Sequence, residues 1–233
     1  MIRREVLSSA GLGLLALALP GGEAALADQV TLTFLHCNDV YEISPREGRG
    51  GFAPFMTLLA RERARNPHTI TTFGGDLLSP SVMSGLTKGR QMIELTDALG
   101  VQVAVVGNHE YDFGPELAAE RIRASSFSWL GTNVLGPDGE PASGMADLQL
   151  IEVAGYRIGF FGVLTPATAT LSQPGPAISF ASPGIVAEAA VRLLREMGAD
   201  LVVAMTHLGA ADDRTLVASV PGIDRPGARR PRP

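Results

Sequence analysis

Four apolar runs of strand length each end on polar residues able to bind a cation, and this repetition constrains the fold more than any other feature. Val103-Ala104-Val105-Val106 stops at Gly107 and passes into Asn108-His109-Glu110-Tyr111-Asp112. Leu32-Thr33-Phe34-Leu35 runs into Asn38-Asp39, Ile70-Thr71-Thr72-Phe73 into Gly74-Gly75-Asp76, and Leu201 to Thr206 into His207. Short runs rich in β-branched and aromatic residues read as buried strands. In an α/β sheet such strand ends open on one crevice, so these amide, imidazole and carboxylate groups are expected to converge there. Carboxylates and imidazoles gathered in one place are the material of a metal-assisted phosphate-cleaving site.

Strand-like and helical segments alternate along the chain. Strands are expected at Val30 to Leu35, Thr69 to Phe73 and Val103 to Val106, and helices at Phe52 to Arg65, Gly89 to Leu99 and Pro115 to Ala124. Phe52, Phe55, Met56, Leu59 and Ala60 recur at helical spacing, and Pro115 with Glu116 suits a first helical turn. Phe127 to Val134 reads as a strand, and Leu148 to Val153 with Tyr156 to Leu164 as two strands joined at Ala154-Gly155. Ser182-Pro183 is placed to start a helix running to about Met197, and the strand from Asp200 delivers His207.

At 233 residues the chain can bury one ordinary core. Its net charge of −5 argues against a nucleic-acid surface or an anionic membrane as partner. Arg3-Arg4, the apolar stretch Ala10 to Leu19 and Ala25-Leu26-Ala27 before Asp28 read as an export signal over residues 1–27, directed to the periplasm or the exterior. The arginine pair suits the twin-arginine route, and Sec export is the plainer alternative. The apolar stretch is shorter than the roughly 20 residues of a spanning helix, so stable membrane insertion is not expected. Cys37 is the one cysteine, which excludes an internal disulfide.

Taken in order, Asn38-Asp39, Gly74-Gly75-Asp76, Gly107-Asn108-His109-Glu110 and Thr206-His207 resemble the motifs of the calcineurin-like metallophosphoesterases, and most of all the catalytic domain of the secreted 5′-nucleotidase family. The resemblance implies an α/β fold, a four-layer α-β-β-α sandwich of the metallophosphatase type. It also implies two divalent ions (Mn, Zn, Co, Mg or Ca), held by Asp39, Asp76, Asn108, His207 and, at a departure from the pattern, Tyr41, with Asp76 bridging. His109 is then the group that stabilises the transition state and protonates the leaving alkoxide, oriented by Asp112. The substrate class implied is a small phosphate ester, chiefly a nucleotide, hydrolysed by a hydroxide activated between two metals. Rival activities are a sugar-nucleotide or cyclic-nucleotide phosphoesterase or a thiosulfohydrolase. A non-catalytic, truncated metal-binding product is the rival of another class.

The same residues carry blander readings. An isolated Asp or Asn at a strand end is more often an Asx turn or helix cap. Glu110 and Tyr111 read as packing or as support behind the ligands, His36 and Cys37 as packed, His68 as a surface turn and Trp129 as core. Arg61-Glu62-Arg63-Ala64-Arg65 reads as a solvated helix end.

Two departures from the family pattern matter. Tyr41 stands where the family's Asp-x-His has a metal-binding histidine, so either a phenolate binds or one ion has a ligand fewer. After Val220-Pro221-Gly222-Ile223-Asp224 the family continues to Gly-Gly-His-x-His, whereas this chain reads Arg225-Pro226-Gly227-Ala228-Arg229-Arg230-Pro231-Arg232-Pro233. With suitably chosen synonymous codons this tail, read one base on, encodes Asp-Leu-Val-Leu-Gly-Gly-His-Asp. The expected organisation is therefore an export signal over 1–27, a catalytic domain incomplete at its C-terminus over 28–224, and a disordered, frameshifted tail over 225–233. A missing strand after Ile223 is expected to leave a sheet edge open.

Overall fold

The computed structural model describes residues 30–224, so the expected export signal and tail lie outside the described residues. Strands β1 (Thr33–Cys37), β2 (Thr69–Phe73), β3 (Val103–Val105) and β4 (Ser128–Leu130) form a four-stranded sheet in that order, with every neighbouring pair parallel. Parallel neighbours need crossover connections. These are α1 (Phe52–Arg65), then α2 (Val82–Thr87) with α3 (Arg90–Ala98), then α4 (Pro115–Ala124). The short strand β5 (Val134–Leu135) pairs with β8 (Ser179–Phe180). Strands β6 (Leu148–Val153), β7 (Tyr156–Leu164) and β9 (Leu201–His207) make a second sheet, ordered β6-β7-β9. There β6 and β7 are an antiparallel hairpin, and α6 (Pro183–Glu196) carries the chain from β7 to its parallel neighbour β9. Helices α5 (Thr168–Leu171) and α7 (Ala210–Ser219) lie in the connections that follow β7 and β9.

The two-residue period of β7 explains how the sheets share a core. Ile158 and Phe160 join Ile70, Val103, Val105 and Leu130 of the first sheet in one cluster, while Phe161 and Val163 join Ala187, Ala190 and Leu194 of α6 in another. Side chains alternate across a strand, so β7 is apolar nearly throughout because both of its faces are covered. Phe34 meets Phe160 edge to face at 6.4 Å, a further contact between the sheets. On the far side of the first sheet, Ala104 and Trp129 pack with Leu59 of α1, Met92 and Ile93 of α3 and Ile122 of α4.

The mixed α/β class agrees with expectation, and the bounds of α1, β2, α4, β6 and β7 coincide with the periodic segments. Elsewhere the structure corrects the reading. β1 starts at Thr33, because pairing with β2 sets Thr33 opposite Thr69 and Cys37 opposite Phe73. The segment from Phe127 to Val134 is two strands, broken where the amide of Thr132 turns to donate to the Gly162 carbonyl at 2.8 Å. α2 and α7 were not anticipated. The helix end of α1 is not wholly solvated, since Arg63 donates to the Leu99 and Gly100 carbonyls and to Thr71. At Val202 the β9 edge is covered rather than open: the Asp224 amide donates to the Val202 carbonyl, and the Val202 amide donates to the Asp224 carboxylate.

One buried side chain ties the loops behind the strands together. Asn133 is fully buried, accepts from the Leu164 amide at 2.8 Å and donates to the carbonyls of Leu164 and Ala181. Removing it strands buried backbone groups. Asn133→Ala is expected to destabilise the protein by about 3 kcal/mol, lowering the melting temperature by roughly 6–12 °C in a thermal denaturation experiment. A drop of a degree or less would mean that water or relaxation satisfies the freed groups.

Candidate metal centre

Because β1, β2 and β3 are parallel, the residues that follow them leave the same edge of the sheet. Asp39 and Asp76 both adopt left-handed backbone conformations there, with φ of 55° and 62°. Aspartate is one of the few non-glycine residues that tolerates this region. His207 arrives from the second sheet at the end of β9. Two glycines make the approach close enough. A side chain on Gly75, itself at φ 92°, would fall on the His207 ring and the Gly107 backbone. A side chain on Gly107 would collide with the main-chain nitrogen and carboxylate of Asp76.

The result is a cluster in which ligand atoms of Asp39, Asp76 and His207 all lie within 4.8 Å of one another. Two carboxylates and an imidazole are a donor set that suits a divalent ion such as Mn²⁺ or Zn²⁺. His207 Nδ1 lies 2.7 Å from the Gly74 carbonyl, which places the proton on Nδ1 and directs Nε2 to Asp76 Oδ2 at 3.3 Å. Burial opposes the charged imidazolium of His207, but the Asp76 carboxylate and the Gly74 carbonyl together push its pKa up to about 9. Burial likewise works against the charge on Asp76. The His207 imidazole and the His109 amide outweigh it and hold that carboxyl below the usual range.

Tyr41 stands inside the cluster. Its hydroxyl donates to Asp39 Oδ1 at 2.6 Å and lies 3.2 Å from Asp76 Oδ2. Burial first, then the hydrogen bond to Asp39 and the charge of Asp76, push the phenol well above its ordinary value. The Asn38 side-chain amide donates to the other oxygen of Asp39.

His109 and Asp112 form the expected pair, with Nδ1 and Oδ2 at 2.6 Å. The other ring nitrogen of His109 is 3.9 Å from Asp76 Oδ2, and its ring meets that of Tyr41 edge to face at 6.0 Å. The His109 side chain keeps 31% of its surface exposed, enough for a substrate atom to reach it. Asn108 sits on the same turn, with its amide 3.4 Å from the Ser172 hydroxyl. Ser172, which follows α5, carried no signal in the sequence.

Glu110 is the residue whose environment was least foreseen. It is fully buried, and its carboxylate accepts from the amides of Asp76, Leu77, Leu78 and Gly107. Burial and the nearby Asp76 charge raise its pKa, against the pull of the amides.

The remaining conspicuous residues take their bland roles. His36 bonds Thr72 and lies against Gly74, but it is exposed rather than packed as expected; partial desolvation lowers its pKa. Burial pushes the Cys37 thiol up to about 12, so it is not a ready nucleophile. His68 lies in the bend before β2, half-buried. Trp129 is core, packed on Phe127 and donating to Ser125 Oγ.

No family model matches the chain. A 5′-nucleotidase of Diplobatis ommata is 30% identical over 207 residues, which are 83% of this chain and 36% of the relative. The crystal structure of a 5′-nucleotidase precursor from Thermus thermophilus superposes with a TM-score of 0.74 at 29% identity, over 79% of this chain and 38% of that one. A calcineurin-like phosphoesterase from Bacillus subtilis shares the fold, with a TM-score of 0.67 at 19% identity over 76% of this chain and 62% of that one. The chain spans about a third of the length of the 5′-nucleotidases it matches. In sequence the chain is thus similar to 5′-nucleotidases, and in fold to the calcineurin-like phosphoesterases.

Proposed function

We propose that the chain is a metal-dependent phosphoric ester hydrolase of the 5′-nucleotidase type, acting on nucleotides or related phosphate esters. The convergence of Asp39, Asp76 and His207 beside the His109–Asp112 pair carries this reading. Asp39, Asp76, Asn108 and His207 would hold two divalent ions. When bound, such ions supply a nucleophilic hydroxide at neutral pH and neutralise phosphate charge.

The chain's own residues would do the rest. Asp112 holds His109 Nδ1, which leaves Nε2 free to donate a proton to the leaving alkoxide. Gly74 fixes the His207 ring so that Nε2 faces the carboxylates. Tyr41 retains its proton in the metal-free protein, donating it to Asp39. Among the described residues the ligand cluster contains one histidine, His207. Export to the periplasm or exterior belongs to the same proposal. It rests on residues 1–27 and on secreted relatives such as a snake venom 5′-nucleotidase of Gloydius brevicauda. Among the described residues no helix is long and apolar enough to cross a membrane.

The direct test is phosphate release from AMP by the purified chain in Mn²⁺, Co²⁺ or Zn²⁺ against an EDTA-treated control. Release that is absent with every ion, or unchanged by EDTA, would overturn the reading. His109→Ala is expected to lower turnover roughly 10²–10⁴-fold while Mn²⁺ binding, followed by calorimetry, stays nearly unchanged. Loss of Mn²⁺ binding in that variant would make His109 a ligand instead.

A pH dependence follows from His207. Its pKa is raised on folding, so the stabilisation is fully present below the ordinary imidazole value of 6.5 and is lost as pH rises through about 9. The melting temperature of EDTA-treated protein should fall across that window. Apparent Mn²⁺ affinity should climb over the same range, by about tenfold per pH unit, because the ion displaces one proton. A flat pH profile of both quantities would rule out a charged His207 in the metal-free protein.

A further inference from the structure

We propose that Glu110 is a positioning residue for the metal centre, one that holds Asp76 in its ligand geometry by locking two backbone loops together. The inference rests on the metal-site reading of Asp76 given above, and it concerns a residue that touches none of the candidate ligand side chains' donor atoms.

Asp76 at φ 62° turns the chain so that three successive amides, those of Asp76, Leu77 and Leu78, point to one side. Successive amides in such a turn form a concavity for an anion. Here the chain fills it with its own carboxylate. Glu110 Oε2 accepts from the Asp76 amide at 3.0 Å and from the Gly107 amide at 2.5 Å, while Oε1 accepts from Leu77 at 2.5 Å and Leu78 at 3.1 Å. Each oxygen therefore takes two donors. The Gly107 bond ties the loop after β2 to the turn after β3, at the place where Gly107 lies against Asp76.

From there the order passes to the ligand oxygens. With its main chain fixed, Asp76 presents Oδ1 to the His109 amide at 2.9 Å and Oδ2 to His207 and Tyr41. Only a carboxylate offers two oxygens that both accept. In Glu110→Gln either orientation of the amide turns an NH₂ group onto two N–H donors, so the cradle opens although volume is conserved. In Glu110→Asp one methylene is lost and the carboxylate cannot span all four amides, so that variant should bind metal less tightly than wild type.

The test joins two measurements on the full chain. Amide hydrogen exchange read by NMR should show that Glu110→Gln loses protection at Asp76, Leu77, Leu78, Gly107 and also His109, whose amide contacts Asp76 and not Glu110. Amides of β7 such as Phe160 should keep theirs. Mn²⁺ affinity should fall about 10–100-fold, the size of effect seen when a partner of a metal ligand is removed. Leu194→Ala, a core truncation in α6 away from the site, is the stability control and should keep wild-type Mn²⁺ affinity. Unchanged His109 exchange in Glu110→Gln would overturn the proposal, as would equal loss of Mn²⁺ affinity in Leu194→Ala. A wild-type protein that binds no Mn²⁺ while Glu110→Gln still frees the His109 amide would sink the metal reading and leave the positioning of Asp76 standing.

Discussion

The packing of β7 against the first sheet sets where the site can be, because the candidate ligands come from two different sheets. Asp39 and Asp76 follow strands of one, His207 ends a strand of the other, and the cluster around Ile70, Leu130 and Phe160 joins the two. Gly162 shows how close this contact is, since a side chain there would run into Leu130. Protein cores are packed to crystal density and resist small displacements. The spacing of the sheets is therefore a fixed quantity, and a pocket at their common edge inherits its dimensions from it.

At that edge the protein concentrates negative charge. Asp39, Asp76, Glu110 and Asp112 lie within one small region, and burial makes the charges of Asp76 and Glu110 costlier than they would be in water. The structure answers the charges with different partners. Glu110 is met by backbone amides, Asp112 by His109, Asp39 by Asn38 and Tyr41, and Asp76 by His207 and the His109 amide. Both oxygens of Glu110 are occupied by main-chain amides. The partners of Asp39 and Asp76 are protons on Tyr41 and His207, and protons are what a divalent ion displaces. This separates the carboxylates that build the site from those left available to a cation.

Legibility in the sequence followed the strength of the periodic signal. β2, β6 and β7 and helices α1 and α4 were readable to the residue, since each is long or apolar enough to show a period. α7 was not, because Leu216 is its one buried residue and no stripe forms. α2 spans only six residues and leaves Val82 and Leu86 exposed. The break between β4 and β5 depends on Thr132 finding the Gly162 carbonyl thirty residues on, a partner that local pattern does not record. The site divides in the same way. Asp39, Asp76, His109, Asp112 and His207 stood out because acidic and imidazole groups closed apolar runs. Glu110 stood in the same motif, yet its four amide partners belong to the main chain, which is alike at every position.

By itself the sequence determined which residues form the main strands and helices and which side chains at the strand ends can bind a cation, because both follow from local composition and period. Tertiary structure decided which of those ends meet. The parallel order β1-β2-β3 puts Asp39 and Asp76 on one edge, and the register of β9 on β7 brings His207 to them. It also decided the protonation of the site. The raised pKa of His207 comes from a carboxylate 131 positions away in the chain but 3.3 Å away in space, and electrostatic interaction depends on distance in space, not separation in sequence.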